Sequence, residues 1–369
     1  RLTELRGGQS SGLASLSWKD EKVKICVAKT IVPKRERASS MMVEQWKRQT
    51  LRGPLASEKN SPFLKTPLLL QGHLRFATSS RNMVAESHPH IWTPFQKMTV
   101  YAKKGRGEGK DGLRFVKKRD VMVGHVLTHN GDFDAITLYE GPFAQKDFGR
   151  WLEKVTGIKS DVDSDSAKIA GYFDVFSTQF NWPLSARRAW ILVIARNELD
   201  VCAGEDVNLS KKNTAPTVEQ YSKWGQLFEE AFDKSTLFVC EEEGEGKGKG
   251  KGGGGGAELS FRESIDKLKE YVIAKLLAAK FSYAVSEYTT REIRDLVEET
   301  VSGFFTADAF QTMGDFMRSA HGSFGLCVAS AQEPGGIVLA ASGQPMCFAI
   351  DPEVNAVLYG SETNAIQVP

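Results

Sequence analysis

The chain has 369 residues, enough for one large domain with an insertion or for two domains. Its apolar fraction of 41% and charged fraction of 25% are ordinary for a folded protein, and a formal net charge of +2 argues against a dedicated nucleic-acid or membrane surface. No apolar run approaches the length of a membrane span.

In chain order, Gly12–Trp18 and Val23–Thr30 are short apolar runs around Lys19-Asp20-Glu21, which predicts a hairpin. Ser40–Lys47 predicts a helix. Leu68–Phe76 and Val121–Leu127 are continuous, turn-bounded apolar runs, as buried strands are. Asn130-Gly131 follows with the commonest signal for a tight hairpin turn, because both residues tolerate positive φ. Apolar residues recur at helical spacing over Asp147–Val155, and again over Asp165–Phe176 behind a serine and aspartate cluster suited to an N-cap.

From about Asn197 to Ala320 the texture turns helical, with amphipathic stretches at Thr217–Phe232, Ser260–Ala284, Thr290–Phe305 and Asp308–Ser319. The Glu/Lys/Gly tract at Glu241–Gly256 predicts a flexible loop, and it contains no GxxxxGK[ST] phosphate cradle. Four short runs close the chain: Gly325–Ser330, Ile337–Ser342, Met346–Ile350 and Ala356–Gly360. Pro and Gly turns separate them, which predicts an antiparallel meander. Strands at both ends with helices between predict an α+β domain, residues 1–196 and 321–369, carrying a helical insertion at 197–320. The chain starts at Arg1 with no signal-peptide pattern and stops at NAIQVP, so it reads as a fragment of a longer polypeptide.

Four polar clusters interrupt the strand pattern: RGGQSSG at Arg6–Gly12, GHLRFATSSRN at Gly72–Asn82, the His129-Asn130-Gly131 corner, and SDVDSDSAKIA at Ser160–Ala170. Each has a plain rival reading as a turn, a strand end, a hairpin or a cap. Gly107–Gly112 matches GxGxxG but leads into a strand-like run rather than a helix, so dinucleotide binding is discounted. His88-Pro89-His90 lacks companion ligands at metal-site spacing and reads as a turn, so no metal and no cofactor are expected. The five cysteines Cys26, Cys202, Cys240, Cys327 and Cys347 form no Cys-x-x-Cys pair. They fit reduced thiols in an intracellular protein, cytoplasmic or organellar.

The order and spacing of the clusters resemble the class II glutamine amidotransferase domain, an N-terminal-nucleophile (Ntn) hydrolase module, as found in the glucosamine-6-phosphate synthase family. The matching stretches are RGGQSSGLA, GHLRFATSS with SHPH downstream, THNGDFD and DSAKIA, then HGSFGL, LAASGQP and LYGSETNAI. They cover about Arg1–Tyr172 and Ala320–Pro369 and leave the insertion unexplained. The resemblance implies a four-layer αββα sandwich of two antiparallel sheets between helical layers.

It also implies a chemistry. An N-terminal cysteine, expected upstream of Arg1 and absent from this chain, would attack the side-chain amide of L-glutamine with its own α-amine as base. Asn130 and Gly131 would donate to the oxyanion, each donor being worth about 3–4 kcal/mol. Arg75 would grip the substrate carboxylate, Thr78 and Ser79 would add hydroxyl contacts, and Asp165 would accept from the ammonium. Arg6 and Gly7 would shape the wall beside the nucleophile. Ser79 and Phe76 depart from the family's histidine and tryptophan. The ammonia would pass to a synthase domain following Pro369. The alternatives are a catalytically dead glutamine-binding or scaffold module, and an Ntn hydrolase of another amide.

Overall fold

A computed structural model describes residues 9–19, 22–32, 37–51, 68–75, 83–103, 115–138, 141–160, 162–195, 216–235, 261–333, 335–353, 355–363 and 366. The elements begin with β1 (Ser10–Lys19), β2 (Lys22–Ile31), α1 (Ala38–Leu51), β3 (Leu68–Arg75), β4 (Gln96–Lys103), β5 (Phe115–Val123), β6 (His125–Leu138) and β7 (Gly141–Ala144). Helices α2 (Gln145–Thr156), α3 (Asp165–Phe176) and α4 (Trp182–Trp190) follow, the last continued by a π-helical turn at Ile191–Ala195. Then come α5 (Val218–Asp233), α6 (Phe261–Ala278), α7 (Thr290–Thr306) and α8 (Ala309–Ser319). Strands β8 (Ala320–Ser330), β9 (Ile337–Ser342), β10 (Cys347–Asp351) and β11 (Ala356–Gly360) end the chain. The architecture is mixed α+β with several antiparallel sheets.

Alternation in β1 decides which side of the first sheet, ordered β2-β1-β3, meets what. Ser11 and Ser15 turn to α1: the Ser11 hydroxyl donates to the Ala38 carbonyl at 3.2 Å, and Trp46 Nε1 donates to Ser15 Oγ at 2.8 Å. Ala14 and Leu16 turn the other way and pack with Val126 and Ala329 of the second sheet, ordered β7-β6-β8-β9. Ile25, Val27 and Leu69 extend that apolar seam. The far side of the second sheet is covered by α2, α3 and α8. There Phe133 of β6 meets Phe148 and Phe316, with ring centroids 5.9 and 5.8 Å away. Phe148, Phe173 and Phe316 are fully buried, each such burial being worth about 1.5–3 kcal/mol.

The chain divides into two compact units. The first comprises Arg1–Lys97, Val121–Ser177 and Asp308–Pro369; the second comprises Met98–Asp120 and Thr178–Ala307. The second is mostly helical. Trp182 stacks on Phe304 at 3.6 Å and on Phe228 at 5.2 Å, and Thr217 and Thr289 close capping boxes on α5 and α7.

Several expectations are corrected. Asn130-Gly131 is not a turn: β6 runs straight through it, pairing Asn130 with Gly325 and Gly131 with Phe324. Val121–Leu127 is two strands separated at Gly124, and the helix expected over Ser260–Ala284 stops at Ala278. The closing runs are not one meander, because among the described residues β10 and β11 pair only with each other while β8 and β9 belong to the second sheet. The unit boundaries also differ from 197–320. Helix α4 joins the helical unit through Trp182, whereas α8 joins the sheet unit through Phe316. The Glu/Lys/Gly tract and the Gly107–Gly112 motif lie outside the described residues.

Candidate functional site

The apolar seam between the sheets becomes polar toward one end. On β6, Val126 packs in the seam and Thr128, two residues on, accepts from Gln71 Nε2 at 3.2 Å; the same Gln71 group donates to the Cys327 carbonyl at 2.7 Å. Asn130 is the next residue on that side of the strand. It is half-buried, and among the described residues its side-chain amide has no hydrogen-bond partner. Gln344 borders the same corner, donating through Nε2 to Ser323 Oγ at 3.1 Å. Gly131, at φ +112°, crosses so close to β8 that a Cβ would overlap the Ser323 carbonyl oxygen.

His129 points the opposite way, toward the start of α3. Ser164 caps that helix by accepting from the Ala167 N–H, which brings Asp165 and Ser166 to the second sheet as the first two helical residues. His129 Nδ1 is 3.1 Å from Ser166 Oγ and 3.6 Å from Asp165 Oδ2. Asp165 Oδ2 also accepts from the Phe133 N–H at 3.3 Å, and Oδ1 accepts from the Ser166 N–H at 2.7 Å. Burial holds the His129 imidazole below its ordinary pKa, against the opposing pull of the Asp165 carboxylate and the Ser323 backbone.

The end of β3 meets this cluster through His88. The His73 and His88 rings lie 4.1 Å apart, and His88 Nε2 is 3.3 Å from Ser166 Oγ. Arg75 is the last residue of β3, two beyond His73 and paired with Ser10. Nearby, Lys29 donates to the Ala85 carbonyl at 3.4 Å; burial lowers its pKa to about 8, partly offset by Glu86.

Of the residues singled out in the sequence, Asn130, Gly131 and Asp165 gather at this end of the second sheet, and the Arg75 backbone ends the strand that leads to it through His73 and His88. Arg6, Gly7, Thr78 and Ser79 lie outside the described residues. The sequence reading placed Ser166, His129 and His88 within its matching stretches but gave them no role in the site, although the first two adjoin Asp165 and Asn130 directly. It also missed the buried pair His125–Asp174 behind them, 2.8 Å apart, whose carboxylate accepts from the Thr93 N–H at 2.7 Å.

Among the described residues, no group of three or more His, Cys, Asp or Glu side chains is arranged to hold a metal ion, and no helix is long and apolar enough to cross a membrane. In chemical terms, the described residues offer an amide donor with no partner among them and a partly exposed carboxylate on neighbouring elements. Compared with known proteins, the chain matches no family model and no curated protein.

Proposed function

We propose that this chain is a class II glutamine amidotransferase domain of the αββα Ntn-hydrolase type. It binds L-glutamine and, with a cysteine nucleophile ahead of Arg1, hydrolyses the side-chain amide to glutamate and ammonia for a synthase domain in the same intracellular polypeptide. The observation that carries this reading is that Asn130 and Asp165, 35 positions apart, both lie at one end of the second sheet. Glutamine has groups for both: an ammonium for the carboxylate, and an amide whose oxygen takes up negative charge when the thiol attacks. The Asn130 amide and the Gly131 N–H donate to that oxygen, and Arg75 takes the α-carboxylate. The cysteine's α-amine takes the thiol proton and returns it to the departing ammonia. Water then releases glutamate from the thioester.

The test is a titration of L-glutamine into the chain. Binding that Asp165→Asn weakens by about 10–100-fold supports the reading, because that change removes a charged contact. Absence of binding at millimolar glutamine refutes it. Ammonia release by the complete polypeptide tests the hydrolytic step, which a binding module would lack.

A further inference from the structure

Resting on the glutamine reading, we propose that Ser166 and His129 are positioning residues that hold the Asp165 carboxylate ready for the ligand's ammonium and lock it to the strand bearing Asn130. The Ser166 hydroxyl lies 3.1 Å from Asp165 Oδ1, 3.1 Å from His129 Nδ1 and 3.3 Å from His88 Nε2. A hydroxyl has one proton and two lone pairs, so three such neighbours use its whole capacity. Ser166 and His129 are both buried, which leaves no room for bulk water to replace a lost partner.

The carboxylate is consequently fastened to β6 at two points. One is direct: beside the register shift between Phe133 and Ala135, the Phe133 N–H is given to Asp165 Oδ2 at 3.3 Å. The other runs from His129 through the Ser166 hydroxyl. Asp165 nevertheless keeps 28% of its side chain exposed, and a carboxylate with about four lone-pair sites retains acceptor capacity there. A group fixed on one side and open on the other suits charge recognition, because the cost of ordering it is met before the ligand arrives.

The neighbouring positions divide the work. Asn130 faces the first sheet, and His129, one residue earlier, faces α3. A shift of α3 against β6 therefore disturbs the ammonium contact and leaves the amide donor, on the other face of the strand, in place.

The experiment measures binding of two probes to the full chain: L-glutamine, and its des-amino analogue glutaramate, which lacks the ammonium. Ser166→Ala and His129→Leu should each weaken L-glutamine by about 10-fold and glutaramate by less than about 2-fold, a selectivity that general loosening of the fold would not produce. His129→Asn, which keeps an N–H near the Nδ1 position, should restore L-glutamine binding to within about 3-fold of the unaltered chain. Equal losses for both probes, no loss at all, or failure of His129→Asn to restore binding overturns the proposal while leaving the glutamine reading intact. If the unaltered chain binds no L-glutamine, the glutamine reading fails and this proposal falls with it. Should His129→Leu not fold, Ser166→Ala and His129→Asn carry the comparison by themselves.

Discussion

Replacing Gly131 by alanine should damage the fold before it damages any chemistry. At φ +112° the backbone is in a region that L side chains rarely adopt, which costs about 1–3 kcal/mol. The added Cβ would also overlap the Ser323 carbonyl oxygen, stand 2.7 Å from its carbon and reach within 3.0 Å of Gln344 Cγ. Two of those atoms belong to the backbone of β8, so no side-chain rotation relieves the clash, and forced repacking adds about 1–3 kcal/mol. The expected loss is therefore about 2–6 kcal/mol, a large share of the roughly 5–15 kcal/mol that stabilises a typical domain. Gly157 supplies the control. It caps α2 at φ +68° with nothing within 4 Å of its Cβ position, so Gly157→Ala should cost only the conformational part, about 1–2 kcal/mol. Urea unfolding with m unchanged reads both values. If Gly131→Ala cost no more than Gly157→Ala, the close approach of β6 and β8 would be refuted. The comparison also bears on function: lost activity in Gly131→Ala would not identify an oxyanion donor, whereas Asn130→Ala leaves the strand backbone unaltered and isolates the amide.

Two further outcomes are expected. Burial lowers the Lys29 pKa from 10.5 to about 8, so between those values the unfolded chain binds more protons and stability rises with pH. The rise is up to about 3 kcal/mol, and urea melts of Lys29→Met should lack it; parallel pH profiles for the two proteins would contradict the burial of this amine. Cys327, with its thiol pushed up to about 12 by burial, should resist iodoacetamide at pH 8 in the native state, while Cys26 and Cys347 react first. Peptide mass spectrometry showing early modification of Cys327 would mean that the centre of the second sheet is open to solvent.

What could be read from the sequence follows the range of the forces involved. Helix α3 was legible because its cap, Ser164, and its apolar run are contiguous, and the threonine-led starts of α5 and α7 were legible for the same reason. Asn130-Gly131 was misread because a local turn signal competes with β8, a partner strand nearly 200 positions away that supplies a full ladder of pairings. Helix α4 went unseen, since its packing onto Phe304 is equally remote in sequence.

The site divides along the same line. The roles expected of Asn130 and Asp165 came from the resemblance of their clusters to a known family. His88, His129 and Ser166 stood in the same stretches without a role, because they converge only after the second sheet and α3 have packed. Once β6 is known to be a strand rather than a turn, one further step follows from its two-residue period. If Asn130 faces the space between the sheets, His129 must face the helical layer. It then comes to rest on Ser166, the neighbour of the carboxylate proposed above to receive the ligand's ammonium. Correcting a turn to a strand therefore assigns His129 a place in the site that the motif alone did not.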